Sequence, residues 1–104
     1  MTTIPRVDRR TLRYEVSAKV GDRVVDLTSL RFAVFPVGAR PDRSTSWATV
    51  PIVEGVAEVT VAGPETPADT DAHFFLEVGD YLVWYQLANG DDTITDDVER
   101  ISVS

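Results

Sequence analysis

One stretch constrains this chain more than any other: Leu76-Glu77-Val78-Gly79-Asp80-Tyr81-Leu82-Val83-Trp84-Tyr85. After a Gly-Asp turn signal, strand-forming apolar residues follow one another from Tyr81 to Tyr85, without the alternating polar residues of a strand with one face in water. The pattern predicts a strand that has protein on both of its faces. A free monomer of this size rarely needs such a strand, so the stretch indicates a part of a larger assembly.

The composition is that of one domain without chemical cross-links. A chain of 104 residues buries about two-thirds of the surface that it exposes when unfolded, so its core needs no disulfide or metal. The absence of cysteine rules out thiol chemistry. The first residues have no apolar signal core, and no run approaches the roughly 20 residues of a membrane helix, so we expect a soluble protein without a membrane partner.

The charge is divided unevenly along the chain. The net charge of -7 argues against a nucleic-acid partner. Residues 1–52 carry nine basic and five acidic residues, a charge of +4, whereas residues 53–104 carry one basic and twelve acidic residues, a charge of -11. The two halves can neutralise each other within one domain or between neighbouring copies.

Period-two alternation runs through most of the sequence. It predicts strands at 12–20, 47–53, 56–62, 81–88 and 98–103, while residues 23–37 are compatible with one bent strand or two. Turn signals separate them at Gly21-Asp22, Glu54-Gly55 and Asn89-Gly90. We therefore predict an all-β fold, a single antiparallel immunoglobulin-like β-sandwich of about seven strands.

The predicted domain comprises residues 11–104, preceded by a flexible basic N-terminal arm at residues 1–10. Tyr81 follows Gly79 by two residues, where such sandwiches carry a tyrosine whose hydroxyl bonds to the preceding loop, so both residues are predicted to be structural. Apolar packing must hold the sheets together, and the predicted core residues are Leu12, Tyr14, Val16, Phe32, Val34, Val59, Val61, Tyr81 and Val83.

No residue pattern indicates catalysis. His73 is the only histidine, which excludes a histidine-rich zinc site. A triad of Ser44 or Ser46 with His73 and Asp71 has no nucleophile-elbow sequence around it, and a loop histidine is usually a solvated surface residue. We predict that the protein is not an enzyme and binds no small-molecule substrate.

Two acidic segments raise the question of calcium. Their spacing fits no calcium-loop pattern, and they flank one strand and so belong at opposite ends of a sandwich. We interpret them as solvated loops that keep the protein soluble, and we predict no metal and no cofactor. The acids are Glu65, Asp69 and Asp71 in one segment and Asp91, Asp92, Asp96, Asp97 and Glu99 in the other.

Two sets of residues are predicted to contact other proteins. Arg6, Arg9 and Arg10, with Arg13 beside them, suit the acidic surface of a neighbour better than phosphates, because acids are interspersed among them. If Val83 points into the core, Leu82 and Trp84 point outward and mark a contact surface. Alternatively, a bulge or the opposite register buries Trp84 in the core.

The placed strands resemble a known class of proteins. The chain is similar to small immunoglobulin-like proteins encoded among the capsid and head-to-tail connector genes of tailed phages that infect actinobacteria. The similarity rests on Phe32-Ala33-Val34-Phe35-Pro36-Val37-Gly38, Pro41, Trp47, Val61-Ala62-Gly63-Pro64, Leu76 and Gly79 to Tyr85. More loosely, Asp26-Leu27-Thr28 with Leu30-Arg31-Phe32 resembles the amino-terminal sandwich of phage baseplate proteins.

The resemblance implies a virion structural protein, made in the host cytoplasm, whose partners are other virion proteins and copies of itself. The rival hypothesis is a carbohydrate-binding or host-adhesion module, in which aromatic residues stack on sugars. The aromatic residues available for such a platform are Trp47, Trp84, Tyr14 and Tyr85. Association with particles and binding to immobilised glycans distinguish the two hypotheses.

Overall fold

The computed structural model describes residues 2–16, 19–20, 23–24, 29–89 and 92–104, which form ten β-strands and no helix. The all-β prediction is confirmed. Residues 25–28 and the turns predicted at Gly21-Asp22 and Gly90 lie outside the described residues. The strands are β1 (Thr2–Ile4), β2 (Arg9–Glu15), β3 (Lys19–Val20), β4 (Arg23–Val24), β5 (Ser29–Pro36), β6 (Ala48–Val53), β7 (Val56–Ala62), β8 (Phe74–Phe75), β9 (Gly79–Asn89) and β10 (Asp92–Val103).

Eight of these strands form one mixed sheet. Its order is β1-β10-β9-β5-β6-β7-β2, with β8 paired to β7, while β3 and β4 form a separate pair among the described strands. β1 runs parallel to β10 and β8 runs parallel to β7, so the prediction of a purely antiparallel sheet is wrong at these two pairs. Parallel strands are joined by longer connections than a hairpin turn, and local alternation carries no signal of such pairing.

The sheet curls at β6. The first part of this strand pairs with β5, whereas Ile52 and Val53 pair with β7. The predicted hairpin at Glu54-Gly55 is confirmed, and both turn residues have positive φ angles of 52° and 75°, as a tight two-residue turn requires. Because β6 passes from one neighbour to the other, the two ends of the sheet approach each other and nearly close a barrel.

The core occupies the inside of this curled sheet. Five predicted core residues are buried, and Tyr14, Val16, Val34 and Tyr81 are partly buried against them. The Tyr14 and Phe32 rings stack with their centroids 5.5 Å apart. Each large apolar side chain that is fully buried stabilises the fold by about 1.5–3 kcal/mol. Those with almost no exposed surface are Phe32, Ile4, Ile101, Val59, Val61, Val83 and Val103.

The predicted N-terminal arm is wrong for residues 2–10. Thr2–Ile4 pairs with Ile101–Val103, and the Ile4 side chain is 0% exposed. In the following turn, the Arg6 amide donates to the Ser104 carbonyl at 2.8 Å, and β2 begins at Arg9. One buried isoleucine and main-chain hydrogen bonds hold this basic segment on the sheet.

Candidate protein interface

β9 presents different side chains to the two faces of the sheet. Val83 is 0% exposed in the core, and Tyr81, Tyr85 and Leu87 pack against the core. Alternation therefore turns Leu82 and Trp84 to the opposite, outer face. The predicted orientation of the strand is confirmed, and the alternative that placed Trp84 in the core is wrong.

Neighbouring strands complete an apolar patch around these two side chains. In the antiparallel register Phe35 lies opposite Leu82 and Ala33 lies opposite Trp84, and opposite residues share a face. We call Ala33, Phe35, Leu82 and Trp84 the outer patch. Ala33 is 3% exposed and the three larger side chains are half-buried, so the expected fully exposed Leu-Trp pair is partly shielded by its cross-strand neighbours.

Polar groups surround the outer patch. The Arg100 and Asp80 side chains form an ion pair at 3.3 Å. Gln86 accepts a hydrogen bond from Arg31 and donates one to Thr95, each at 3.4 Å. An apolar centre with a polar rim is the composition of protein interfaces, in which charged residues are depleted at the centre.

The indole of Trp84 has an unsatisfied donor. Its Nε1 atom is buried, and no acceptor for it exists among the described residues. A buried donor without a partner costs about 1–3 kcal/mol. A partner protein that shifts the ring and brings an acceptor would remove this cost.

The two ends of the curled sheet meet at a seam, with β1 and β10 on one side and β2 on the other. Glu99 joins the two sides. One carboxylate oxygen accepts from the Thr2 hydroxyl at 2.6 Å and the other accepts from the Tyr14 hydroxyl at 2.6 Å. Burial of Tyr14, together with its bond to Glu99, raises the pKa of the phenol far above its usual value. Glu99 therefore joins β1, β2 and β10. The interpretation of the second acidic segment as a loop is wrong for Asp92, Asp96, Asp97 and Glu99, which lie in β10, although Asp96 and Asp97 are exposed.

The predicted contact arginines lie away from the outer patch. Arg6 lies in the turn after β1, 3.8 Å from the Glu65 carboxylate, so it contacts its own chain. Arg9 and Arg10 are exposed on β2, the end strand that forms one side of the seam. The predicted contact residues thus belong to separate regions: Leu82 and Trp84 on β9, Arg9 and Arg10 on β2, and Arg6 in the turn after β1.

Gly79 and Tyr81 lie at the start of β9. The Tyr81 hydroxyl donates to the Glu77 carbonyl at 2.9 Å, which is the predicted bond to the preceding loop. The aromatic ring also lies beside Gly79, where an added Cβ would meet it at 3.7 Å. Both residues therefore shape the entry of the chain into the central strand.

His73 is exposed, as the sequence predicts, and it also has a structural role. Its Nδ1 accepts from the Thr60 amide at 2.9 Å, and its own amide donates to the Thr60 carbonyl at 2.9 Å. The histidine thus continues the hydrogen-bond ladder where β6 leaves β7. Among the hydrogen bonds of the described residues, none joins His73 to Ser44, Ser46 or Asp71, and Ser44 bonds to Asp42 at 2.7 Å.

Within the described ranges, no three His, Cys, Asp or Glu side chains are grouped as a metal site requires. That part of the chain also contains no helix long and apolar enough to cross a membrane. Comparison of the chain with protein-family models, curated proteins and solved structures finds no match.

Proposed function

We propose that this chain is a non-enzymatic structural subunit of a tailed-phage particle, in the head or neck region, and that its outer patch packs against other virion proteins. The outer patch is the observation that carries the proposal. A sheet face with Leu82, Trp84 and Phe35 at its centre and ion-paired residues at its rim suits a protein partner. The sequence resemblance supports the virion as the place where that partner occurs.

The same proposal includes the immunoglobulin-like assignment. The curled sheet has two facing parts, because β6 divides its pairing between β5 and β7. This division supports a relation to sandwich domains, in which apolar side chains from two facing sheets fill the core.

Truncation of the tryptophan tests the proposed interface. Interface tryptophans at well-packed centres often cost roughly 2 kcal/mol or more when truncated to alanine. We expect Trp84→Ala to reduce incorporation of the chain into purified particles, while the isolated domain stays folded and its melting temperature falls only slightly, because the indole is half-buried in the single chain. The matched control is Phe75→Ala, which removes an aromatic side chain that is exposed on β8.

Two results would contradict the proposal. A Trp84→Ala protein that enters particles as efficiently as the Phe75→Ala protein shows that the outer patch is no interface. A Trp84→Ala domain that unfolds at a much lower temperature shows that the indole serves the chain's own fold. Electron microscopy of the particles then locates the subunit.

The carbohydrate-binding hypothesis has less support. Tyr14 stacks on Phe32, and Tyr85 packs against the core, so two of the four aromatic residues face inward. Trp84 and Trp47 are half-buried. Binding of the isolated domain to immobilised glycans, abolished by Trp47→Ala, is the result that would favour this hypothesis.

A further inference from the structure

Two strands at the seam have edges without a strand partner in the described part of the chain. β2 pairs with β7 on one side only. β10 pairs with β9 along its length, but on its other side β1 covers only Ile101–Val103. The uncovered edge of β10 therefore includes residues 93–97. Unpaired main-chain donors and acceptors at such an edge are a template for another strand.

The two edges carry opposite and unpaired charges. Arg9 and Arg10 on β2 are exposed, as are Asp96 and Asp97 on β10. None of the four has an ion-pair partner among the described residues, whereas other arginines in the same region do. The arginines with acidic partners are Arg6, Arg13 and Arg100.

Within one copy these charges cannot meet. The hydrogen bond from Tyr14 to Glu99 shows that these two residues lie at the same height along the seam, Tyr14 on β2 and Glu99 on β10. Arg10 lies four residues before Tyr14, towards the Ser104 end, and Asp97 lies two residues before Glu99, towards the other end. At about 3.3 Å per residue, the two charged pairs are about 20 Å apart along the seam.

Between two copies one antiparallel register satisfies both pairs. If Arg9 lies opposite Asp97 of the next copy, Arg10 lies opposite Asp96. The same register places Thr11 opposite Thr95 and Leu12 opposite Ile94, whose side chain is 51% exposed in the single chain. Charged, hydroxyl and apolar residues thus each meet a favourable cross-strand partner.

The faces of the two strands also agree. Arg10 shares a face with Val61 in the core, and Asp96 shares a face with Tyr85, which packs against the core. Arg9 and Asp97 lie on the outer faces of their strands. If β2 of one copy paired with β10 of the next, the core-facing side of one strand would therefore continue into the core-facing side of the other.

We propose that copies of this chain associate head to tail, with the free edge of β10 in one copy pairing antiparallel to β2 of the next. A groove of about 460 Å³, lined by Thr2, β2 residues, Val98 and Glu99, lies along this edge of β2. The bulge between Asp97 and Glu99 ends the pairing. Because two different surfaces meet, the contact generates a ring or an open filament, and a two-fold dimer is not expected.

This association uses neither Leu82 nor Trp84 itself, although Asp97 lies opposite Trp84 in the register of β9 and β10. It extends the proposed function by naming the contact between copies. The Trp84→Ala protein should therefore assemble with itself as the unmodified chain does, and the two proposals can fail independently.

Charge reversal on each edge tests the register. One protein carries Arg9→Glu and Arg10→Glu, and the other carries Asp96→Lys and Asp97→Lys. Light scattering at low ionic strength measures the mass of each protein alone and of an equimolar mixture. We expect the unmodified chain to form assemblies larger than a dimer, each charge-reversed protein to be monomeric, and the mixture to assemble again, because each altered edge then meets its complement.

The control reverses two exposed arginines in the loop between β5 and β6. Arg40→Glu with Arg43→Glu makes the same change in net charge as the β2 substitutions and should leave assembly intact. An unmodified chain that is monomeric at its highest soluble concentration, or a folded mixture that stays monomeric, overturns the proposal. A two-fold dimer overturns it as well.

Hydrogen exchange on the unmodified chain provides a second measurement that needs no substitution. Main-chain amides in residues 9–12 and 93–97 should exchange more slowly at high protein concentration than after dilution. Protection that does not depend on concentration at these amides would contradict the edge pairing, even if a charge-reversed protein failed to fold.

Discussion

Replacement of Ile4 by alanine measures whether the N-terminal strand belongs to the domain. The side chain is 0% exposed and lies among the largest fully buried residues, and β1 pairs through only three residues with β10. Truncation of a buried isoleucine to alanine costs about 2–5 kcal/mol, since apolar contacts are lost and a cavity remains. A domain of this size is typically stable by about 5–15 kcal/mol, so the loss is a large fraction of the total.

Urea unfolding of the two proteins gives the free-energy difference directly. For a domain of about 100 residues, 1 kcal/mol corresponds to roughly 4–8 °C in melting temperature, so Ile4→Ala should lower it by at least about 8 °C. The control is Thr3→Ala, an exposed residue of the same strand, which should change stability by less than about 0.5 kcal/mol. If the two substitutions have equal effects, β1 is a mobile arm and the reasoning from its burial fails.

Three further substitutions test single contacts. Tyr81→Phe removes the hydroxyl bonded to the Glu77 carbonyl and should lower the free energy of unfolding by about 1 kcal/mol; an unchanged urea midpoint would show that the bond contributes nothing. Gly63→Ala places a Cβ in collision with the Arg6 carbonyl group, so the main chain must move, and thermal melting should show a loss of about 1–3 kcal/mol or more. The raised pKa of Tyr14 means that its neutral form is favoured by folding, so this contribution is complete below the usual tyrosine pKa of about 10 and is lost as the pH rises above it. Urea midpoints measured from pH 8 to 11 should therefore fall more steeply for the unmodified chain than for Tyr14→Phe, and parallel curves would contradict this assignment.

Local alternation predicted much of the sheet because each half-buried strand repeats the same arrangement of side chains. Leu12 and Tyr14 alternate with charged residues, and Val59 and Val61 lie on one face of β7, as expected. The Glu54-Gly55 turn was also readable, because only a few residue pairs adopt positive φ angles readily. These features depend on neighbouring residues alone.

The features that the sequence did not reveal depend on partners far along the chain. β1 pairs with β10 almost a full chain length away, so no local pattern marks Ile4 as a core residue. Glu99 appeared within a run of acids, and only the approach of Thr2 and Tyr14 turns it into a structural residue. For the candidate interface, alternation predicts that the Trp84 side chain points to the outer face. That the side chain is half-buried there depends on its cross-strand neighbours Ala33 and Asp97, which lie far from it in the sequence.

The Glu99 bonds also determine when this fold can be completed. They join residues separated by 97 and 85 positions in the sequence. In addition, β1 can pair only after Ile101–Val103 of β10 have been synthesised. Loop closure over such distances is slow relative to hairpin formation, so the seam should be the last part of the domain to form as the chain leaves the ribosome. Until then the edges of β2 and β10 have no fixed spacing, so the two neighbours that the proposed association places at these edges would have no fixed position relative to each other.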